Sequence, residues 1–155
     1  MTLATVDLRS LSRTQQRRIA DAPEQVAEEI VAEVVPNAKH RPDEAEWYDV
    51  VKTTTGTKYE AKSTWTEIGQ KYPAGGRFRL RRDQLRSLQA SINGGGDGSA
   101  WVAFVLFDEE EGAAKVRRAK PSTVAGWIED RGGWNESGHD DFQKQHKLPY
   151  SVVFV

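Results

Sequence analysis

Residues 47–63 read W-Y-D-V-V-K-T-T-T-G-T-K-Y-E-A-K-S, and this stretch predicts two β-strands joined by a tight turn. The strands are expected over Trp47–Lys52 and Thr57–Ser63, with the turn at Thr53–Gly56. Gly56 suits the turn because it adopts a positive φ at little cost. The rest of the predicted fold is arranged around this hairpin.

Three charged side chains are expected to meet at one edge of the hairpin. Side chains alternate between the two faces of a strand, so Glu60 and Lys62 project from the same face. Asp49 lies across from Glu60 in the expected register. Two carboxylates held close together repel unless a proton or a cation lies between them, and Mg²⁺ takes one or two carboxylates together with water and phosphate oxygens. The set therefore suits metal-assisted hydrolysis of a phosphodiester, with Lys62 holding a phosphate or positioning the attacking water.

The spacing Asp49-x(10)-Glu60-x-Lys62 resembles the D…(D/E)-x-K signature of the PD-(D/E)xK nuclease superfamily. The residue before Asp49 is Tyr48, whereas the superfamily signature has proline at that position. The resemblance covers residues 24–130, in the order helix, acid-bearing strand, helix and apolar strand. Within the superfamily the chain is most similar to archaeal Holliday-junction resolvases.

This resemblance implies an α/β fold with a restriction-endonuclease-like core, in which helices flank both faces of a central mixed β-sheet. It also implies an Mg²⁺-dependent (or Mn²⁺-dependent) endodeoxyribonuclease that acts on DNA and prefers branched structures. Asp49 and Glu60 would bind the metal, assisted by a glutamate of the first helix. Glu28 fits the family pattern best among these glutamates, and Glu24 and Glu29 remain open.

A second group of side chains is expected at the DNA. The segment Arg77–Arg86 holds five Arg and one Asp, a local charge of +4 in a chain whose net charge is −1. Separated basic segments can form a phosphate-binding face even in a neutral protein. The resemblance adds Gln84, in the first turn of the following helix, near the scissile phosphate. The expected phosphate contacts are Arg77, Arg79, Arg81 and Arg82.

Two other interpretations stay open. The chain could be a non-catalytic domain that binds DNA or a partner and has kept the nuclease fold, although the complete acid–acid–lysine set argues against this. Alternatively Asp49, Glu60 and Lys62 form a surface ion pair on the hairpin, which contributes little to stability.

Composition sets the broad class of protein. A chain of 155 residues fits a single domain, residues 1–155. It contains no Cys, no 18-residue apolar run and no secretory signal at its start, so we expect an intracellular, cytoplasmic protein without a membrane span. A homodimer is expected because cutting two opposed strands needs paired active sites.

The remaining elements are predicted from periodicity and turn signals. Residues 1–20 form a leading basic segment in which Arg9, Arg13 and Arg17 recur every four residues, as on a helix that is either solvated or in contact with DNA. The Ser63–Gly76 stretch is expected to be a loop that either places Trp65, Lys71 and Tyr72 near the substrate or uses Trp65 and Tyr72 to cover the sheet. The other expected elements are a helix capped by Asp21 and ending before Pro36, a polar connection over Pro36–Glu46, a helix capped by Asp83, a central buried strand over Trp101–Phe107, an edge strand over Lys115–Lys120, a helix over Pro121–Asp130 capped by Ser122, and a closing strand over Ser151–Val155.

Overall fold

A six-stranded β-sheet with helices on both faces forms the centre of the computed structural model, which describes residues 2–69, 74–95, 99–135 and 144–155. The strands are β1 (Thr2–Asp7), β2 (Ala38–His40), β3 (Val50–Lys52), β4 (Thr57–Trp65), β5 (Glu67–Ile68), β6 (Ala74–Gly75), β7 (Arg77–Arg81), β8 (Ala100–Asp108), β9 (Ala113–Ala119) and β10 (Gln145–Pro149). The helices are α1 (Arg13–Arg18), α2 (Pro23–Val34), α3 (Arg82–Gly95), α4 (Pro121–Glu129) and α5 (Tyr150–Val153), with a 3₁₀ turn at Leu8–Ser10.

The main sheet has the order β1-β9-β8-β4-β3-β2. Its β4–β8 pair is parallel, whereas the pairs β1–β9, β9–β8, β4–β3 and β3–β2 are antiparallel, so the sheet is mixed. Helix α2 packs on one face against β4, while α3 and α4 pack against β8. The predicted fold class, a mixed sheet flanked by helices, is confirmed.

Strand β8 is the centre of the core, as its apolar sequence predicts. Its residues 102–107 are all buried, which is typical of a strand covered on both faces. One hydrophobic cluster includes Val26, Ile30 and Tyr59, and the other includes Phe78 and Leu88. Strand β4 lies beside β8 and therefore carries its polar side chains into a well-packed environment.

The predicted hairpin is present, with a shorter first strand. Strand β3 begins at Val50, and ahead of it Trp47 packs edge-on against Tyr48, with ring centroids 4.6 Å apart. The register pairs Val50 with Tyr59. Gly56 has a φ of 75°, as the turn requires.

The N-caps predicted at Asp21, Ser122 and Asp83 are wrong by one or two residues. Ala22 is the N-cap of α2, so Asp21 precedes it, and Lys120 is the N-cap of α4, so Ser122 lies inside the helix. In both helices proline takes the first position, where its missing N–H costs nothing. Helix α3 begins at Arg82, which places Asp83 within the first turn.

The leading segment is part of the sheet. Strand β1 pairs with β9, so the prediction that Lys115–Lys120 forms an edge strand is wrong. Arg9 lies in the 3₁₀ turn and pairs with Asp7 at 3.3 Å. Arg9 and the arginines of α1 therefore do not share one continuous helix face.

The expected loop over Ser63–Gly76 contains regular structure. Strand β4 continues to Trp65, and β5 pairs with β6. Trp65 packs on Phe107 with ring centroids 5.1 Å apart, so it covers the sheet. A Cβ at Gly76 would lie 1.7 Å from the Trp65 carbonyl oxygen, so only glycine allows this close crossing. The predictions for Lys71 and Tyr72 lie outside the described residues.

The predicted closing strand Ser151–Val155 is wrong. This segment forms the short helix α5, and Val153 is fully buried in the core. A short apolar run does not distinguish a strand from a buried helical turn. The strand in this region is β10, which pairs with β7 in a separate two-stranded sheet. No helix in the described ranges is both long and apolar enough to cross a membrane.

Candidate active site

The β3–β4 hairpin places two carboxylates next to each other. One step beyond the register that pairs Val50 with Tyr59, Asp49 comes opposite Glu60. The Asp49 backbone N–H donates to the Tyr59 carbonyl at 2.9 Å, and Asp49 Oδ2 accepts from the Ala61 N–H at 3.0 Å. These bonds fix the aspartate at the end of the strand pair.

Glu60 is a buried acid, with 5% of its surface exposed. Burial raises the pKa of its carboxyl from 4.5 to about 8; the Lys62 ammonium opposes this rise and the Asp49 carboxylate adds to it. Its Oε2 is buried without a hydrogen-bond partner in the part of the chain that the structure describes. A buried carboxylate of this kind needs a cation to be charged at neutral pH.

Lys62 is held in place from two sides. Its Nζ lies 3.2 Å from Glu60 Oε1 and donates to Gln84 Oε1 at 2.8 Å. The Gln84 side chain donates in turn to the Glu46 carbonyl at 2.8 Å. Helix α3 thus positions Gln84, and Gln84 orients the lysine beside the acid pair.

Glu28 lies on α2, on the face of the sheet opposite to α3, and it approaches the same acids. Its Oε1 is hydrogen-bonded to His40 Nε2 at 2.9 Å. Burial raises the pKa of Glu28, the bond to His40 opposes the rise, and the Asp49 carboxylate adds to it. The Asp49 carboxylate raises the pKa of both Glu60 and Glu28, so it lies within electrostatic range of each.

The other first-helix glutamates lie elsewhere. Glu24 is exposed in the first turn of α2, and Glu29 is half-buried without a described link to Asp49. Of the three candidates, the structure brings Glu28 to the hairpin acids.

Strand β2 was missed in the sequence and holds this arrangement together. His40 at its end binds Glu28, and the adjacent Arg41 N–H donates to the Asp49 carbonyl at 2.7 Å. The sequence predicts a polar connection over Pro36–Glu46. The strand β2 has only three residues, which is too short to show an alternation of polar and apolar side chains. His40 is therefore engaged by the Glu28 carboxylate.

The predicted phosphate-binding arginines divide into two groups. Arg81 lines a narrow cleft together with Glu60, Lys62 and Gln84, and it pairs with Asp83 at 2.7 Å. The other members lie outside the cleft lining: Arg77 and Arg79 are exposed along β7, and Arg82 begins α3.

The acids fit a hard divalent cation that keeps most of its own water. Throughout the described residues, no group of three or more His, Cys, Asp or Glu side chains forms a ready-made metal site. Mg²⁺ does not require one, because it is bound through one or two carboxylates plus waters and substrate phosphates. The unpartnered Glu60 oxygen beside Asp49 provides such a donor pair.

A family model described as the PD-(D/E)XK nuclease superfamily domain matches residues 14–155. The chain belongs to the PD-(D/E)XK nuclease superfamily. Nucleases of this superfamily are hydrolases that act on nucleic acid and generally use divalent metals. The match begins after β1 and runs to the last residue, so it includes both the acid-bearing hairpin and the C-terminal elements. Neither the curated proteins nor the solved structures gave a match to the chain.

Proposed function

We propose that this PD-(D/E)XK protein is a metal-dependent DNA endonuclease that hydrolyses phosphodiester bonds. The observation that carries the proposal is the buried Glu60 carboxylate, 3.2 Å from the Lys62 ammonium and in electrostatic contact with Asp49. A fold gains nothing in stability from burying this set, since a hydrophobic replacement usually does as well or better. Perturbed acids grouped in a cleft are typical of a functional site.

Asp49 and Glu60 would hold Mg²⁺ or Mn²⁺, and Glu28 would assist through a bridging water. The bound ion would supply Lewis-acid polarisation of the scissile phosphate. The chain's own contribution is to bury Glu60 next to Asp49, so that the neutral form of Glu60 is favoured until a divalent cation binds. His40 fixes the direction of the Glu28 carboxylate.

Lys62 would position the attacking water, help to deprotonate it and offset the negative charge that develops on the phosphate. Its ammonium is preorganised by Glu60 and Gln84, and it is only 16% exposed, so water screens it weakly. Gln84 is a positioning residue in this scheme, because its amide contacts the lysine and the Glu46 carbonyl.

Arg77, Arg79, Arg81 and Arg82 would contact backbone phosphates, which gives affinity without sequence choice. Cleavage directed by DNA structure, as in Holliday-junction resolvases, is consistent with phosphate contacts of this kind. Paired cuts would be made by a symmetric homodimer. The proposed substrate implies that the protein acts inside the cell, in the cytoplasm.

Cleavage of branched and linear DNA with Mg²⁺ tests the proposal. Asp49→Asn and Lys62→Met should each lower the single-turnover rate by about 10²–10⁴-fold, since each removes a group that acts in the transition state. Lys115→Met is the matched control, because its ammonium lies 3.1 Å from Glu111 at the exposed end of β9. It should cleave like the wild type.

Thermal unfolding of each variant shows that the losses are not losses of fold. Cleavage that survives both Asp49→Asn and Lys62→Met would reject the assigned site. DNA binding without any cleavage by the wild type would instead favour the non-catalytic domain.

A further inference from the structure

Positive charge is concentrated in one part of the chain. Residues 77–86 and 144–149 contain seven Lys or Arg and one Asp, a net charge of +6, whereas the whole chain carries −1 and the remainder therefore −7. Strands β7 and β10 pair antiparallel within this region and form a two-stranded sheet of their own, which we call the basic ribbon. The clustering becomes visible only once β10 is known to pair with β7.

One face of the basic ribbon is apolar and the other is cationic. Phe78, Leu80 and Leu148 are buried in the core. Arg79 lies directly opposite Lys147 in the register, so their side chains share the outer face, and both are exposed. The outer face of the ribbon therefore carries two adjacent cations.

The basic ribbon starts at the candidate active site. Arg81, its last residue on β7, lines the cleft with Glu60 and Lys62. Alternate residues of a strand are about 7 Å apart, so Arg79 and Arg77 continue the line of charge away from the cleft. A nucleic-acid backbone with one phosphate beside Arg81 would have its neighbouring phosphates over the outer face.

We propose that the basic ribbon binds the phosphate backbone of double-stranded DNA beside the cleaved bond, with Lys147 as a contact that the sequence did not indicate. The proposal rests on the nuclease function proposed above and adds its substrate class. A two-stranded β-ribbon is one of the elements that fit the major groove of duplex DNA. Binding of single strands relies on aromatic side chains on which bases stack, but the ribbon's aromatic residue Phe78 is fully buried.

Fluorescence anisotropy measures this binding separately from catalysis. A labelled duplex and each of its single strands are titrated in EDTA at several NaCl concentrations. The wild type should bind the duplex more tightly than either strand. Lys147→Ala should weaken duplex binding and lower the slope of log affinity against log salt by about 0.9, the value for one lost phosphate contact.

Lys115→Ala is the control, because Lys115 lies on β9, outside the basic ribbon, and pairs with Glu111. Its slope should equal that of the wild type. The proposal is overturned if Lys147→Ala keeps the wild-type slope, if Lys115→Ala lowers the slope equally, or if the wild type binds single strands as tightly as duplex.

The two proposals fail in different ways. Duplex binding that depends on Lys147, in a protein that does not cleave with Mg²⁺, overturns the proposed catalysis and supports the ribbon. Cleavage by the wild type, together with an unchanged salt slope for Lys147→Ala, supports the proposed catalysis and overturns the ribbon.

Discussion

Two regions of the molecule contain the same ion pair in different surroundings. In β4, Lys62 Nζ lies 3.2 Å from Glu60, and the side chains are 16% and 7% exposed. At the turn between β8 and β9, Lys115 Nζ lies 3.1 Å from Glu111, and the side chains are 35% and 58% exposed. The charges and distances match, so the difference between the pairs is burial.

Burial decides what each pair can do. Water solvates the exposed pair, so its attraction is screened and it contributes about 0–1 kcal/mol. In the buried pair, desolvation outweighs the attraction, and the pKa of Glu60 rises to about 8 despite the adjacent ammonium. The interpretation of Asp49, Glu60 and Lys62 as a surface ion pair is therefore wrong, because Glu60 and Lys62 are withdrawn from solvent.

The largest difference between the regions should appear in the pH dependence of stability. Without divalent metal, folded Glu60 keeps a proton that the unfolded chain releases between about pH 4.5 and about pH 8. The free energy of unfolding of the wild type should therefore fall as the pH rises through this range, by up to about 1.4 kcal/mol per pH unit from this group. Glutamine does not titrate, so the free energy of unfolding of Glu60→Gln, measured with denaturant, should fall less than that of the wild type. The difference between the two declines should be about 2–4 kcal/mol over the whole pH range.

Glu111→Gln is the matched control, and its decline should parallel that of the wild type. Adding Mn²⁺ should stabilise the wild type more at pH 8 than at pH 5, because the ion binds the ionised acids and only the folded state. Equal pH dependence in the wild type and Glu60→Gln would show that Glu60 is not held neutral by burial.

The sequence predicts the buried region well where its signals are regular. Alternation along β4 correctly places Glu60 and Lys62 on one face, and seven apolar residues correctly indicate the central strand β8. Glu60 and Lys62 belong to β4, and Asp49 lies immediately before β3, the hairpin partner of β4. The site could therefore be proposed from local sequence, together with a family signature.

The supporting elements could not be predicted in this way. Strand β2 has three residues, and β10 reads Q-H-K-L-P, so neither shows enough alternation to be recognised. Their positions depend on partners distant in the chain, β3 for one and β7 for the other. The sequence did not indicate the positions of His40 and Lys147, because only this pairing brings His40 to Glu28 and Lys147 opposite Arg79.

A smaller effect is expected at the Glu28–His40 pair, whose burial lies between that of Lys62–Glu60 and that of Lys115–Glu111. Glu28 and His40 are 18% and 22% exposed, and their side chains are 2.9 Å apart. His40→Ala frees the Glu28 carboxylate to rotate, so calorimetry should show Mn²⁺ affinity about 10–100-fold weaker, as for lost partners of metal ligands elsewhere. His40→Gln offers an amide donor and should restore part of the affinity.

Lys39→Ala removes an exposed cation from the same short strand and serves as the control. It should leave Mn²⁺ affinity near the wild-type value. A loss as large in Lys39→Ala as in His40→Ala would mean that β2 acts through its fold and not through the bond to Glu28.

The smallest effect is expected in the exposed region. Lys115→Met keeps the aliphatic stem of the side chain and removes the ammonium, so the free energy of unfolding should change by less than about 1 kcal/mol. The remaining change should shrink in 1 M NaCl, where the Debye length is only about 3 Å. Urea unfolding at low and high salt measures both quantities. A loss above about 2 kcal/mol that persists in salt would show that exposure does not determine the strength of this pair, and the contrast with Lys62 would then have to come from Gln84 and Asp49.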